Sequence, residues 1–119
     1  MRTAKYLWFT KDYIVVNSMD RTKAEQIVVQ HDADWGSSKG DLRSTSGCRI
    51  TYKGMLISSS SQTQPGLPAL SSGESEIRSM CRAVCECQFV QDIFLEMGIE
   101  LPLVAETDAS VALAQAQRL

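Results

Sequence analysis

The sequence predicts an α/β fold in which helices pack on a mixed sheet of three antiparallel strands and one parallel strand. The first observation is the β-branched run Ile-Val-Val at residues 27–29, which predicts a buried strand over residues 27–35. The second is a strand-like segment of alternating apolar and polar residues, followed by a turn at residues 53–54 and a second strand-like segment, as in a β-hairpin. The third is a long amphipathic stretch from residue 71 or 72, which predicts a helix. This helix bridges the first strand and one more strand, so those two strands would lie parallel, with a right-handed connection.

The hairpin has one apolar and one polar face. It follows a Gly- and Ser-rich loop at residues 36–41, and its strands are predicted at residues 48–52 and 55–59. Residues 60–70 contain Pro65 and Pro68, so they are predicted to form a connection rather than a helix. The alternation places Cys48, Ile50 and Tyr52 on one face and Arg49, Thr51 and Lys53 on the other.

The long helix carries both end signals. Glu74 stands at capping-box spacing from the first residues, and Gly98 supplies a stop. A final strand is predicted at residues 101–107 and a final helix at residues 109–117. The apolar positions of the long helix step by three or four and predict a buried stripe of Ile77, Met80, Cys81, Val84, Cys87, Val90, Phe94 and Met97.

The chain divides into a lead-in and one domain. Residues 1–26 are predicted to connect from a preceding domain, with a short helix at residues 3–9 and a short strand at residues 13–16. An ordinary first hairpin strand is the alternative for that segment. Residues 27–119 form the predicted domain, and 119 residues are enough for one core.

Composition excludes some classes of protein. The hydrophobic content of 44% and the charged content of 22% are those of a globular chain rather than a disordered one. The net charge is −2, but residues 1–53 carry +3 and residues 54–119 carry −5. That division suits a protein that holds a polyanion on one side and cations on the other, although chance also explains it. The sequence contains no basic recognition helix, so it gives little support to a sequence-specific DNA-binding function.

Four cysteines favour a reducing, intracellular location. Cys81, Cys85 and Cys87 lie within one predicted helix, which is a poor layout for disulfides. Structural zinc sites more often use loop-borne pairs, so small core residues are the preferred interpretation. No apolar run approaches the length of a membrane span.

Three carboxylates are predicted to converge. Asp32 ends the first strand, Glu76 borders the buried stripe in the first turns of the long helix, and Asp108 follows the last strand. Ligands of open α/β sheets bind outside the carboxyl ends of the strands. Each residue alone also has a simple explanation: a turn former, a solvated helix residue and a helix N-cap. Their joint placement favours a shared site.

Four motifs in order carry a family resemblance. They resemble the ribonuclease H domain of copia-type retrotransposon Pol polyproteins from about residue 3 onward, and residues 10–13 resemble the segment that joins reverse transcriptase to ribonuclease H. The motifs are Asp-Ala-Asp-Trp at 32–35, Arg-Ser-Thr-Ser-Gly at 43–47, Ala-Leu-Ser-Ser-Gly-Glu-Ser-Glu at 69–76 and Thr-Asp-Ala-Ser at 107–110.

The resemblance implies a metal-dependent endonuclease that cuts the RNA strand of an RNA–DNA hybrid. It makes Asp32, Glu76 and Asp108 the catalytic and metal-binding carboxylates, with Mg²⁺ or Mn²⁺ as the cofactor. It further implies a covalently linked reverse transcriptase, no membrane, and a cytoplasmic (virus-like particle) or nuclear location. The candidate phosphate contacts, for which plain solvation is the alternative, are Lys39, Arg43, Arg49 and Lys53.

The sequence also departs from the family. The family continues with another strand and a further acidic residue, so the domain is expected to be incomplete at its C-terminus. Ser59 stands where the family usually has Trp, and Gln62 and Thr63 stand where it often has two lysines. Fewer cations would weaken phosphate binding. We expect a recognisable fold with weak or absent activity, and the alternative is a non-catalytic domain that is structural or only binds nucleic acid.

Overall fold

A computed structural model describes residues 2–108 of the chain. Apart from the predicted strand at residues 13–16, the elements appear in the predicted order. They are α1 (Arg2–Phe9), β1 (Ile27–Asp34), β2 (Thr45–Tyr52), β3 (Met55–Thr63), α2 (Ser72–Glu96) and β4 (Leu103–Glu106). The predicted helix at residues 109–117 lies outside the described residues.

The four strands form one mixed sheet in the order β3-β2-β1-β4. β1 pairs antiparallel with β2, and β2 pairs antiparallel with β3. β4 runs parallel to β1, with Ile27 opposite Leu103 and Gln30 opposite Glu106. The predicted mixed sheet, with three antiparallel strands and one parallel strand, is therefore confirmed. Its hairpin strands are longer than expected, because the polar residues 45–47 and 60–63 continue the ladder.

α2 covers one face of the sheet and packs against β1, β2 and β4. Ile27, Val29 and His31 of β1 point toward the helix, whereas Gln30, Asp32 and Asp34 are exposed on the opposite face. On β2, Arg49 and Thr51 share that open face, as the alternation predicts. The core residues are Ile27, Val29, Ile50, Ala83, Cys87, Val90 and Leu101.

The predicted helix stripe is only partly correct. Cys87 and Val90 are buried, but Cys81 and Met97 are exposed. The half of α2 that lies nearest its N-terminus is instead buried through small residues, Ser75, Ser79 and Ala83. A count of apolar spacing misses this face because two of its members are serines. Small side chains let the first turns of α2 approach the strands closely.

Both ends of α2 follow the predicted signals. The Ser71 hydroxyl accepts a hydrogen bond from the Glu74 N–H at 3.1 Å. The Glu74 carboxylate in turn accepts from the backbone N–H of Leu70 at 2.8 Å. At the other end Gly98 adopts a φ of 79°, and the Ile99 N–H donates to the Phe94 carbonyl at 2.9 Å. This arrangement is a glycine-terminated helix stop of the Schellman type.

The lead-in is largely exposed. The short helix is present as α1, but residues 13–16 form no strand, and Val15 is 92% exposed. The prediction of a strand there was wrong, because β-branched residues favour a strand only where a neighbouring strand can pair with them. Within the described part of the chain, no helix is both long and apolar enough to cross a membrane.

The turn between β2 and β3 gives a first prediction. Lys53 and Gly54 both have positive φ, 47° and 77°, as type I′ hairpins require. An L side chain at position 54 is strained there. We expect Gly54→Ala to lower the free energy of unfolding by about 1–2 kcal/mol, measured by urea denaturation. Gly40→Ala is the matched control, since its added Cβ meets no atom of residues 2–108 within 4 Å. Equal midpoints for the two variants would contradict the expectation.

The cysteines give a second prediction. All four are free, with Cys81 and Cys85 exposed, Cys87 buried and Cys48 half-buried. The preference for core roles was therefore wrong for the exposed pair. Burial, together with the nearby Glu86 carboxylate, raises the pKa of Cys48 to about 11. We expect a thiol reagent to label Cys81 and Cys85 rapidly in the native chain, and Cys48 and Cys87 only on unfolding. Rapid labelling that persists in a Cys81→Ser, Cys85→Ser variant would contradict it.

Candidate active site

The candidate site lies at the carboxyl ends of β1 and β4. These two parallel strands end at the same edge of the sheet, one at Asp34 and the other at Glu106. A surface cavity of about 360 Å³ opens there. It is lined by Gln30, His31, Glu106, Thr107 and Asp108. Of the three predicted carboxylates, Asp108 lines this cavity, whereas Asp32 and Glu76 are not among its described lining residues.

Asp32 and Glu76 meet at one backbone group. The Ala33 N–H donates to Asp32 Oδ1 at 2.9 Å, and it also hydrogen-bonds to the Glu76 carboxylate. The hydroxyl of Ser79, one helical turn after Glu76, donates to the Asp32 carbonyl at 2.7 Å. α2 is thereby fixed to the end of β1. The helix therefore holds Glu76 near Asp32.

The pKa of Glu76 depends on the two other predicted carboxylates, Asp32 and Asp108. Burial raises the pKa of Glu76 above its ordinary value of 4.5, and the charges of Asp32 and Asp108 raise it further. The hydrogen bond from Ala33 works in the opposite direction. The negative charges of Asp32 and Asp108 therefore disfavour the ionised form of Glu76. A cation bound among the three carboxylates would offset this repulsion.

The donors fit a hard cation by type, but they are not fully gathered. Asp32, Glu76 and Asp108 supply carboxylate oxygens, the ligands that Mg²⁺ and Mn²⁺ prefer. The Glu76 Oε2 atom is buried and has no hydrogen-bond partner among residues 2–108. Between residues 2 and 108, however, no three His, Cys, Asp or Glu side chains lie close enough together to hold one metal ion.

A layer of buried polar residues next to Glu76 in the fold was not predicted from the sequence. It consists of Ser46, Gln64 and Ser75. Gln64, 4% exposed, donates through Nε2 to Ser46 Oγ at 2.9 Å and to the Ser75 carbonyl at 2.8 Å. Its own backbone N–H donates to the Ser44 carbonyl at 2.8 Å. This layer joins the start of β2 to the first turns of α2. The signal in the sequence was the pair Ser75 and Ser79, spaced to share a helix face.

His31 was also missed as a site residue. Its side chain is 1% exposed, and its Nδ1 atom lies 3.8 Å from Glu76 Oε2. Burial lowers the pKa of His31, whereas the charges of Asp108 and Asp32 act to raise it. The net lowering favours the neutral imidazole. A histidine directly before Asp32 in a strand was the available signal, because alternation places it on the helix-facing side.

The four predicted phosphate contacts are scattered. Arg49 lies on the open sheet face, opposite Gln30 in the ladder, and Lys39 is exposed in the loop after β1. Arg43 is held by the carboxylate of Asp41. Hydrogen bonds from Ser38 and Arg43 lower the pKa of Asp41 to about 2.

Lys53 lies apart from the other three basic residues. Its Nζ pairs with Glu25 at 2.8 Å, at the hairpin end of the sheet. The neighbouring Tyr52 is opposite Ile27, five residues before Asp32 along β1. That separation is roughly 17 Å at a strand rise of about 3.3 Å per residue.

Sequence comparison finds similar proteins among transposon polyproteins. No protein-family model matches the chain. The retrovirus-related Pol polyprotein from transposon RE2 of Arabidopsis thaliana is 32% identical over 100 residues, which are 84% of this chain and 7% of that protein. Its counterpart from transposon RE1 of the same plant is 39% identical over 70 residues, which are 59% of this chain and 5% of that protein. The chain thus spans less than a tenth of the curated relatives that it matches.

Structural comparison finds ribonucleases H. LC11-RNase H1, isolated from compost by a metagenomic approach, aligns with a TM-score of 0.58 at 19% identity, over 79% of this chain and 61% of that one. The same enzyme in complex with an RNA/DNA hybrid also aligns at 0.58, with 17% identity, over 78% of this chain and 62% of that one. Identities this low show a shared fold. The chain is a relative of the retrovirus-related Pol polyproteins of transposons, and its fold is that of ribonuclease H.

Proposed function

We propose that the chain is the ribonuclease H segment of a Pol polyprotein and cleaves the RNA strand of RNA–DNA hybrids with a divalent metal. The observation that carries this proposal is the meeting of Asp32 and Glu76 at one backbone N–H, within electrostatic range of Asp108. The fold supports it, because a structural neighbour is known in complex with an RNA/DNA hybrid. Similarity to Pol polyproteins supports linkage to other domains. We propose that a reverse transcriptase is one of them and that the protein acts inside the cell.

We assign the metal-binding and positioning roles to different residues. Asp32, Glu76 and Asp108 would hold Mg²⁺ or Mn²⁺, which when bound activates a water molecule and stabilises the leaving oxygen in phosphodiester hydrolysis. The Ala33 N–H fixes Asp32, and the hydroxyl of Ser79 fixes the helix that carries Glu76. Two carboxylates held in place before the cation arrives lose less freedom on binding it.

The hybrid would lie across the open sheet face. Arg49 shares that face with Asp32, and Lys39 lies in the loop at the same end of β1 as Asp32. Both are placed to contact phosphates, which position a duplex without reading its sequence. Contacts to 2′-hydroxyl groups would distinguish the RNA strand from DNA. Lys53 is too far from Asp32 to contact the phosphate that is cut, so we assign it at most to a distant phosphate.

The direct test is cleavage of a labelled RNA–DNA hybrid by the 119-residue chain in Mg²⁺ or Mn²⁺. We expect slow cutting of the RNA strand only, and no cutting by Asp32→Asn. A DNA duplex of the same sequence is the substrate control, and circular dichroism shows that both proteins are folded. Cutting that survives Asp32→Asn would contradict the assignment of Asp32. A folded wild-type chain that binds the hybrid but leaves it intact would favour the non-catalytic alternative.

A further inference from the structure

His31 is a buried polar residue that packing does not explain. Its side chain faces α2 beside Ile27 and Val29, and only 1% of it is exposed. Both ring nitrogens are buried, and neither has a hydrogen-bond partner among residues 2–108. Burying an unpaired polar atom is unfavourable, and a leucine would fill similar space without that cost. A histidine at this position therefore opposes stability unless it acts on a neighbour.

The neighbour is Glu76. Its Oε2 atom is also buried, has no hydrogen-bond partner in the described part of the chain, and lies 3.8 Å from His31 Nδ1. That separation is too long for a hydrogen bond. A movement of less than about 1 Å would bring the two atoms within the usual 2.7–3.2 Å. One small side-chain rotation would thus pair two unsatisfied buried atoms.

We infer that His31 is a positioning residue, which donates from Nδ1–H to Glu76 Oε2 and orients that carboxylate toward a divalent cation. The inference rests on the proposed function, because it assigns a partner to a proposed metal ligand. The neutral imidazole has one N–H donor, and the nearby Glu76 oxygen favours the tautomer that places it on Nδ1. Outer partners of this kind typically change metal affinity by about 10–100-fold.

The test compares metal affinity with stability in the same variants. Mn²⁺ binding is measured by calorimetry without substrate, and stability by urea unfolding without metal. We expect His31→Leu to weaken Mn²⁺ binding at least about tenfold while the urea midpoint stays the same or rises. His31→Asn, whose amide can replace the Nδ1 donor, should bind Mn²⁺ within about threefold of the wild type. His31→Gln places its amide nearer the Nε2 position and should behave like the leucine variant.

Asp32→Asn separates the two ways in which the inference can fail. If Asp32→Asn leaves Mn²⁺ affinity unchanged, the metal site itself is absent, and the role of His31 falls with it. If Asp32→Asn weakens binding at least tenfold but His31→Leu does not, the metal site stands and the role of His31 is overturned. A His31→Leu variant that loses stability and affinity together would show a residue that only fills the core, which also overturns the inference.

Discussion

Glu76→Gln is expected to remove cleavage while making the metal-free chain more stable at neutral pH. The amide keeps the shape of the side chain but has no charge with which to hold a cation. We expect the rate of RNA-strand cleavage to fall at least about 100-fold, or roughly 2.7 kcal/mol of transition-state stabilisation. A single-turnover assay on the hybrid measures that loss.

The stability gain follows from the direction of the Glu76 pKa. Burial, together with Asp32 and Asp108, raises that pKa above 4.5 in the folded chain, so the ionised form is disfavoured there. The wild-type chain therefore loses stability as the pH rises from the unfolded pKa through the folded one. Glu76→Gln does not titrate and lacks this fall. Urea unfolding at pH 4 and pH 7 without metal measures the difference.

Glu86→Gln is the matched control on the same helix. Burial acts to raise the pKa of Glu86, but hydrogen bonds from Arg82 and Ser60 outweigh it and lower the pKa. Its ionised form therefore stabilises the fold above the unfolded pKa, and the glutamine variant should lose stability at pH 7 and keep cleavage. A Glu76→Gln variant that is less stable than the wild type at pH 7 would contradict the electrostatic account of the site.

Ser79→Leu is expected to separate the first turns of α2 from β1. Ser79 is 1% exposed and donates to the Asp32 carbonyl, so leucine both overfills a closely packed position and removes that hydrogen bond. Overpacking typically costs about 1–3 kcal/mol, and loss of one part-buried hydrogen bond costs about 0.5–1.5 kcal/mol more. We expect a loss of about 2–4 kcal/mol in the free energy of unfolding. Mn²⁺ binding should weaken as well, because Glu76 moves with the helix.

Two further variants isolate the packing contribution. Ser79→Ala removes the hydrogen bond without adding volume, and it should lose only about 1 kcal/mol. Cys81→Leu places the same leucine on an exposed face of α2, where about 0.5 kcal/mol is the usual limit. Equal urea midpoints for Ser79→Leu and Cys81→Leu would show that the two helix faces are not packed differently, contrary to the structure.

Elements with regular patterns could be predicted from the sequence. The hairpin at Lys53 and Gly54, both ends of α2 and the parallel pairing of β4 follow from turn chemistry, caps and chain connectivity. The strand at residues 13–16 could not be judged correctly, since β-branched residues do not reveal whether a pairing strand exists. The convergence of Asp32, Glu76 and Asp108 was predicted from their positions near the ends of elements, and it stays a prediction. The predicted catalytic and phosphate-binding roles stay predictions.

The rest of the site depends on tertiary packing. Ser75, Ser79 and Gln64 are polar, so a hydrophobic pattern assigns them to the surface, although all three are buried. Their hydrogen-bond partners lie far away in sequence, as in the contact from Ser79 to Asp32, and only the folded chain brings them together. His31 is similar, because its neighbour Glu76 comes from another element.

The pairing of β4 with β1 has a consequence for the order of assembly. It joins residues 27–30 to residues 103–106, about 76 positions along the chain, through four residue pairs. Closing a loop of that length costs about 4 kcal/mol of chain entropy. Four residue pairs offset this cost only after α2 has packed on the sheet. β4 is a four-residue strand at one edge of the sheet, so we expect its amide hydrogens to exchange with solvent before those of β1 and β2. Because Asp108 lies two residues after the end of β4, each opening would also carry this carboxylate away from Asp32 and Glu76.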